Sequence, residues 1–114
     1  MLRVIFQDID TYTQAGCYAL VSRINGVSNT LPGKLSDLSG KNCDAKLLFR
    51  SLTQSPQTYH CTGLYDDVAI VTLTEEAWEP VDTANSIYLS MSDSLPSFMM
   101  KIEEALRIAS SLKA

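Results

Sequence analysis

The run Val68-Ala69-Ile70-Val71-Thr72-Leu73-Thr74 is apolar on both of its alternating faces. A stretch this short and this rich in β-branched residues reads as a strand, and apolar residues at odd and even positions alike mean that it is covered on each side. The chain must therefore build a sheet with material above and below its centre. Its 114 residues suit one domain over 1–114 with a single core. An apolar share of 46% against 19% charged belongs to a folded globular chain and excludes a disordered one.

The clearest helix lies at 95–112. Asp93-Ser94 offers a capping oxygen, Pro96 suits a first turn, and Leu95, Phe98, Ile102, Leu106, Ala109 and Leu112 recur at three- and four-residue steps. Ile87, Leu89 and Met91 alternate with Tyr88, Ser90 and Ser92, a half-buried strand, and Leu2 to Gln7 gives another. Thr58 to Tyr65 also reads as a strand, with Asp66-Asp67 closing a hairpin onto Val68. Residues 17–24 and 45–54 fit either a helical face or a strand. The strand reading is favoured for both, in the first case because Asn25-Gly26 follows as a hairpin turn would. Asn25 to Cys43 is left as a long irregular loop. The expected architecture is α+β: a mainly antiparallel sheet of four to six strands with a C-terminal amphipathic helix packed on one face.

Charge is segregated. Between Arg50 and Lys101 there are seven carboxylates, Asp66, Asp67, Glu75, Glu76, Glu79, Asp82 and Asp93, and no lysine or arginine, whereas both flanks carry a small basic excess. The net charge of −4 is thus concentrated in one block, which repels nucleic acid and anionic membranes and steers basic partners inward. The apolar stretch Leu2 to Phe6 is too short for a signal peptide or a membrane span. Cys17, Cys43 and Cys61 form no C-x-x-C pair and read as reduced, gap-filling thiols. The expectation is a cytoplasmic protein.

Motifs for chemistry are sparse. His60 is the only histidine and adjoins Cys61 on an expected strand, where neighbouring side chains point to opposite faces and cannot form a nucleophile–base pair. A small enzyme using His60 would need a thiol or carboxylate brought to it from elsewhere. Zinc ligands are not clustered, and no calcium-loop pattern is present. Asp8-Ile9-Asp10 could hold a magnesium ion, but an exposed strand end accounts for it equally well. Gly26, Gly33 and Gly40 do not follow a nucleotide-loop pattern. No catalytic residue, cofactor or metal is expected.

What stands out is Thr74-Glu75-Glu76-Ala77-Trp78-Glu79-Pro80-Val81-Asp82, with the sole tryptophan among four carboxylates. A solvated loop with Trp78 folded onto the core would explain it. An aromatic anchor ringed by like charges also has the composition of a hot spot for a basic surface. The expected binding residues are Asp66, Asp67, Glu75, Glu76, Trp78, Glu79 and Asp82. In build, being short, acidic and free of motifs, the chain resembles the bacterial immunity proteins that neutralise toxins. That resemblance implies a monomer occluding the basic active site of a cognate toxin, a nuclease in particular. Size and charge are similar to secretion chaperones too, which would imply a dimer holding an effector peptide.

Overall fold

The computed structural model describes residues 1–38, 44–51, 67–74, 85–90 and 92–113. Five strands form one sheet: β1 (Leu2–Gln7), β2 (Thr30–Pro32), β3 (Ala45–Ser51), β4 (Val68–Thr74) and β5 (Ser86–Ser90). Two α-helices accompany them, α1 (Thr11–Asn25) and α2 (Leu95–Lys113), with short 3-10 turns at Val27–Asn29 and Leu35–Leu38. The strand order is β2-β1-β3-β4-β5, and every neighbouring pair is parallel.

This corrects the expected antiparallel sheet. Parallel neighbours need a crossover rather than a tight turn, and α1 provides the one between β1 and β2. The segment expected as a strand at 17–24 lies inside α1. Cys17, Tyr18, Leu20, Val21 and Ile24 form its inner face, and that 3.6-residue spacing overrides the β-propensity of its Tyr, Val and Ile. Asn25-Gly26 ends this helix instead of turning a hairpin. Gly26 takes φ 99° and its N–H donates to the Ser22 carbonyl at 2.8 Å; glycine supplies the positive φ wanted by a helix end and by a hairpin turn alike. The expected hairpin strand at 58–65 lies outside the described residues. Both edges of β4 are taken by β3 and β5. The strand reading of 45–54 holds over Ala45–Ser51, and the strands at the N-terminus, at 68–74 and near 87, like the helix from 95, form as expected.

Both α-helices lie on one face. There Leu2, Val4, Leu47, Phe49, Ala69, Val71, Leu73 and Leu89 meet Cys17 and Val21 of α1 and Ile102, Ala105 and Ala109 of α2. Phe6 and Phe49 stack on that side with centroids 5.4 Å apart. On the other face a smaller cluster joins Ile5, Leu48, Val68 and Ile70 to Leu38 of the second 3-10 turn. β4 is buried along its whole length, as a central parallel strand must be. Its neighbour β3 carries two buried cationic side chains, Lys46 and Arg50, on the smaller-cluster side.

Candidate functional site at the carboxyl edge

Because all strands run the same way, one edge of the sheet gathers the residues that leave them: Gln7 to Asp10 after β1, Ser51, Thr74 and Ser90. The helix starts lie there as well. In sheets of order 2-1-3-4-5 the direction of winding reverses between β1 and β3, and ligand crevices lie outside the carboxyl ends at that point.

The β1–α1 turn is tightly specified. Asp8 adopts φ 57°, a left-handed conformation that aspartate tolerates better than most side chains. Asp10 caps α1, its carboxylate accepting from the Thr13 N–H at 2.9 Å and the Thr13 hydroxyl at 2.6 Å. Those two bonds hold the Asp10 carboxyl below the usual carboxylate range. Gln14 Nε2 donates to the Ile9 carbonyl at 2.7 Å, which fixes Ile9 beneath the turn. Asp8 and Asp10 are exposed on either side of the buried Ile9, and neither enters an ion pair among the described residues. No group of three potential metal ligands occurs among the described residues, and both Asp10 oxygens are engaged by Thr13.

The neighbouring strand ends are polar. In lateral register, Gln7 stands beside Arg50, Arg50 beside Thr72 and Thr72 beside Tyr88. The Arg50 Nε donates to the Thr72 hydroxyl at 2.9 Å, so this buried guanidinium is tied into the sheet. One step on, Thr74 pairs with Ser90, and the Thr74 hydroxyl reaches the Leu89 carbonyl at 3.4 Å. Ser90 and Ser92 share a hydroxyl–hydroxyl bond of 2.7 Å. Past them, Asp93 accepts from Lys101 Nζ at 2.8 Å, the largest of the influences that lower its pKa. The Ser94 hydroxyl accepts from the Ser97 N–H at 3.4 Å as α2 begins.

Of the seven residues expected at a binding site, Asp67 alone is described; Asp66, Glu75, Glu76, Trp78, Glu79 and Asp82 lie outside the described residues, as do His60, Cys43 and Cys61. Asp67 sits at the amino end of β4. Its side chain is 63% exposed and lies 3.5 Å from Lys46 Nζ, whose own side chain is 2% exposed. Asp67 thus serves a buried lysine of the basic flank. Asp93, from the same acidic block, is at the opposite edge and also bridges to a flanking lysine. The length of β4 separates the two edges, about 20 Å at ~3.3 Å per residue. These two acids therefore do not share a patch.

Three of the described basic groups lie toward the amino edge, while Arg50 and Lys101 stand at the carboxyl edge, tied to Thr72 and Asp93. Arg3 reaches Asp44 at 2.7 Å and Asp37 at 3.6 Å, Lys46 holds Asp67, and Arg23 stands in the last turn of α1. Cys17 is a free, buried thiol, pushed up to about 11 chiefly by desolvation, which makes it unreactive. No helix among the described residues is long and apolar enough to cross a membrane. The chain matches no family model, no curated protein and no solved structure.

The left-handed Asp8 and the exposed Tyr12 went unnoticed at the level of sequence. A capping Asp10 three residues before Thr13 was the available signal, hidden by reading the following segment as a strand.

Proposed function

We propose that this chain is a protein-binding module that docks a basic partner on its acidic carboxyl edge, in the manner of an immunity protein neutralising a toxin. The observation that carries the reading is the separation of charge: seven carboxylates and no lysine or arginine between Arg50 and Lys101. Asp8 and Asp10 add two exposed acids at the carboxyl edge, and Glu75 and Glu76 follow Thr74 directly in the chain. The proposed docking centre is accordingly Asp8 with the acids that follow Thr74 in the chain, rather than Asp67, which bridges to Lys46 at the other edge. A nuclease is the partner class with the best complement, because its own substrate demands a positive cleft. Exposed pairs contribute only ~0–1 kcal/mol each in a monomer, whereas desolvated pairs across an interface couple at about 1.5–7 kcal/mol. A few such contacts suffice for tight inhibition without any chemistry by this chain.

The test uses a defined basic probe, a hexa-arginine peptide, titrated into isotopically labelled protein. Amide shifts are expected at Gln7 to Tyr12, Thr74 and Ser90 to Leu95, shrinking as salt is raised. Asp8→Asn and the combined Glu75→Ala, Glu76→Ala and Glu79→Ala variant should each weaken the response. Shifts centred on Asp67, or a response indifferent to salt, refute the assignment.

A further inference from the structure

α1 is a surface helix without the usual charged outer side. Its exposed residues are Thr11, Tyr12, Ala15, Gly16, Ala19 and Arg23, and the last five fall on one stripe at helical spacing. Arg23 is the only charged side chain in its fifteen residues, although the solvent side of a helix ordinarily carries charges. Tyr12 is 88% exposed. Nothing among the described residues accounts for Gly16: a Cβ built there meets none of their atoms within 4 Å, and its φ is not positive. Glycine is a poor residue for a helix interior, so its presence where a side chain would have room points to a second body approaching the backbone.

We propose that this side of α1 is a self-association surface, occupied by α1 of a second copy running antiparallel about a two-fold axis. Charge selects both occupant and direction. Asp10 caps the start of α1 and Arg23 lies in its last turn, so the helix is acidic at one end and basic at the other. Antiparallel pairing sets each Arg23 against the acidic end of its counterpart and opposes the two macrodipoles favourably; a parallel pair would place like with like. With the axis midway between Gly16 and Ala19, Tyr12 faces the second copy's Arg23 in a cation–π contact. Gly16 faces the second copy's Ala19, letting the backbones come close.

Helix length bounds the strength. Fifteen residues span about 22 Å at ~1.5 Å each, and with a width of ~10 Å the footprint is roughly 220 Å² per copy. Stable complexes bury about 800 Å² per partner, so the association is weak and reversible. The two carboxyl edges point to opposite ends of such a pair, leaving the proposed partner-binding edge open in each copy.

Sedimentation equilibrium of the full chain from about 10 µM to about 1 mM, the range in which weak affinities are read, should show a concentration-dependent dimer. Ala19→Arg and Arg23→Glu alter exposed positions, and circular dichroism verifies their folding. Each should raise the dissociation constant by about tenfold or more, a factor that corresponds to about 1.4 kcal/mol. Combining Tyr12→Lys with Arg23→Glu should restore association, since the new lysine meets the new glutamate only in the antiparallel register. A chain that stays monomeric at the highest concentration, a dimer indifferent to both single variants, or a double variant as dissociated as Arg23→Glu overturns the proposal.

Discussion

Replacing Gly16 by alanine should make the isolated protein more stable. The added methyl meets open space, so neither packing gain nor clash enters, and the effect reduces to helix propensity. Alanine exceeds glycine in a helix interior by about 0.8–1.0 kcal/mol. The entropy of unfolding near the midpoint is about 2.1 cal/mol/K per residue. For 114 residues that gives ~0.24 kcal/mol/K, so the expected rise in Tm is about 4 °C. Urea unfolding near 1 µM, far below the range where weak dimers form, should show a higher midpoint with an unchanged slope. Gly26→Ala is the contrasting control. That residue has φ 99°, and a Cβ there would lie 3.0 Å from Asn29 Nδ2, so a loss of about 1–2 kcal/mol is expected for the left-handed strain. If Gly16→Ala is neutral or destabilising at low concentration, the outer side of α1 touches something within the folded chain. The argument from its unexplained glycine then fails.

Phe49→Ala should cost about 3–5 kcal/mol, because the ring is fully buried and stacks on Phe6; urea unfolding checks it, and a loss under 1 kcal/mol would contradict the stated burial. The Cys17 thiol, with its pKa pushed up to about 11 from 9.0, keeps its proton more tightly in the folded state. Its contribution to stability is therefore full below about pH 9 and declines as pH rises toward 11, and its peptide should stay unalkylated by iodoacetamide until the protein unfolds. Asp93 titrates the other way. Its carboxyl lies below the usual range because of Lys101, so that contribution is present above the ordinary aspartate pKa and is lost on acidification. Lys101→Met should lower the urea midpoint at neutral pH, and the gap from the parent should narrow near pH 3, below the usual aspartate value of about 3.9.

The sequence made the centre of the sheet legible and left the direction of its strands unread. β4 was identifiable because seven consecutive buried residues leave few alternatives, and α2 because its caps and its apolar stripe agree. Direction is a property of connections. Side-chain alternation looks the same in parallel and antiparallel strands, so the sheet's sense depended on recognising α1 as a crossover. There the signals conflicted: Tyr18, Val21 and Ile24 favour a strand one by one, while their spacing makes a helical face, and Gly26 suits either ending. A strand reading of 17–24 ending at Asn25-Gly26, together with a hairpin from 58–65 through Asp66-Asp67, leads to an antiparallel sheet. The acidic block was visible as a count, but a count along the chain does not distinguish the two edges of a parallel sheet. Asp67 and Asp93 are 26 positions apart in sequence and lie at opposite edges, each bound to a lysine that the linear reading assigned to a separate region.

The placement of α2 governs how this fold can be assembled. It lies across β3, β4 and β5 and brings Ile102, Ala105 and Ala109 to the larger cluster, although it follows all of those strands in the chain. No pair of strands among the described residues is joined by a local turn that could nucleate early, and parallel pairings between distant segments form slowly. During synthesis Leu47, Phe49 and Val71 therefore have no lid until residues 95–113 have left the ribosome. A nascent chain halted before that point would display a greasy, unroofed sheet, and holding chaperones should capture it far more avidly than the finished protein.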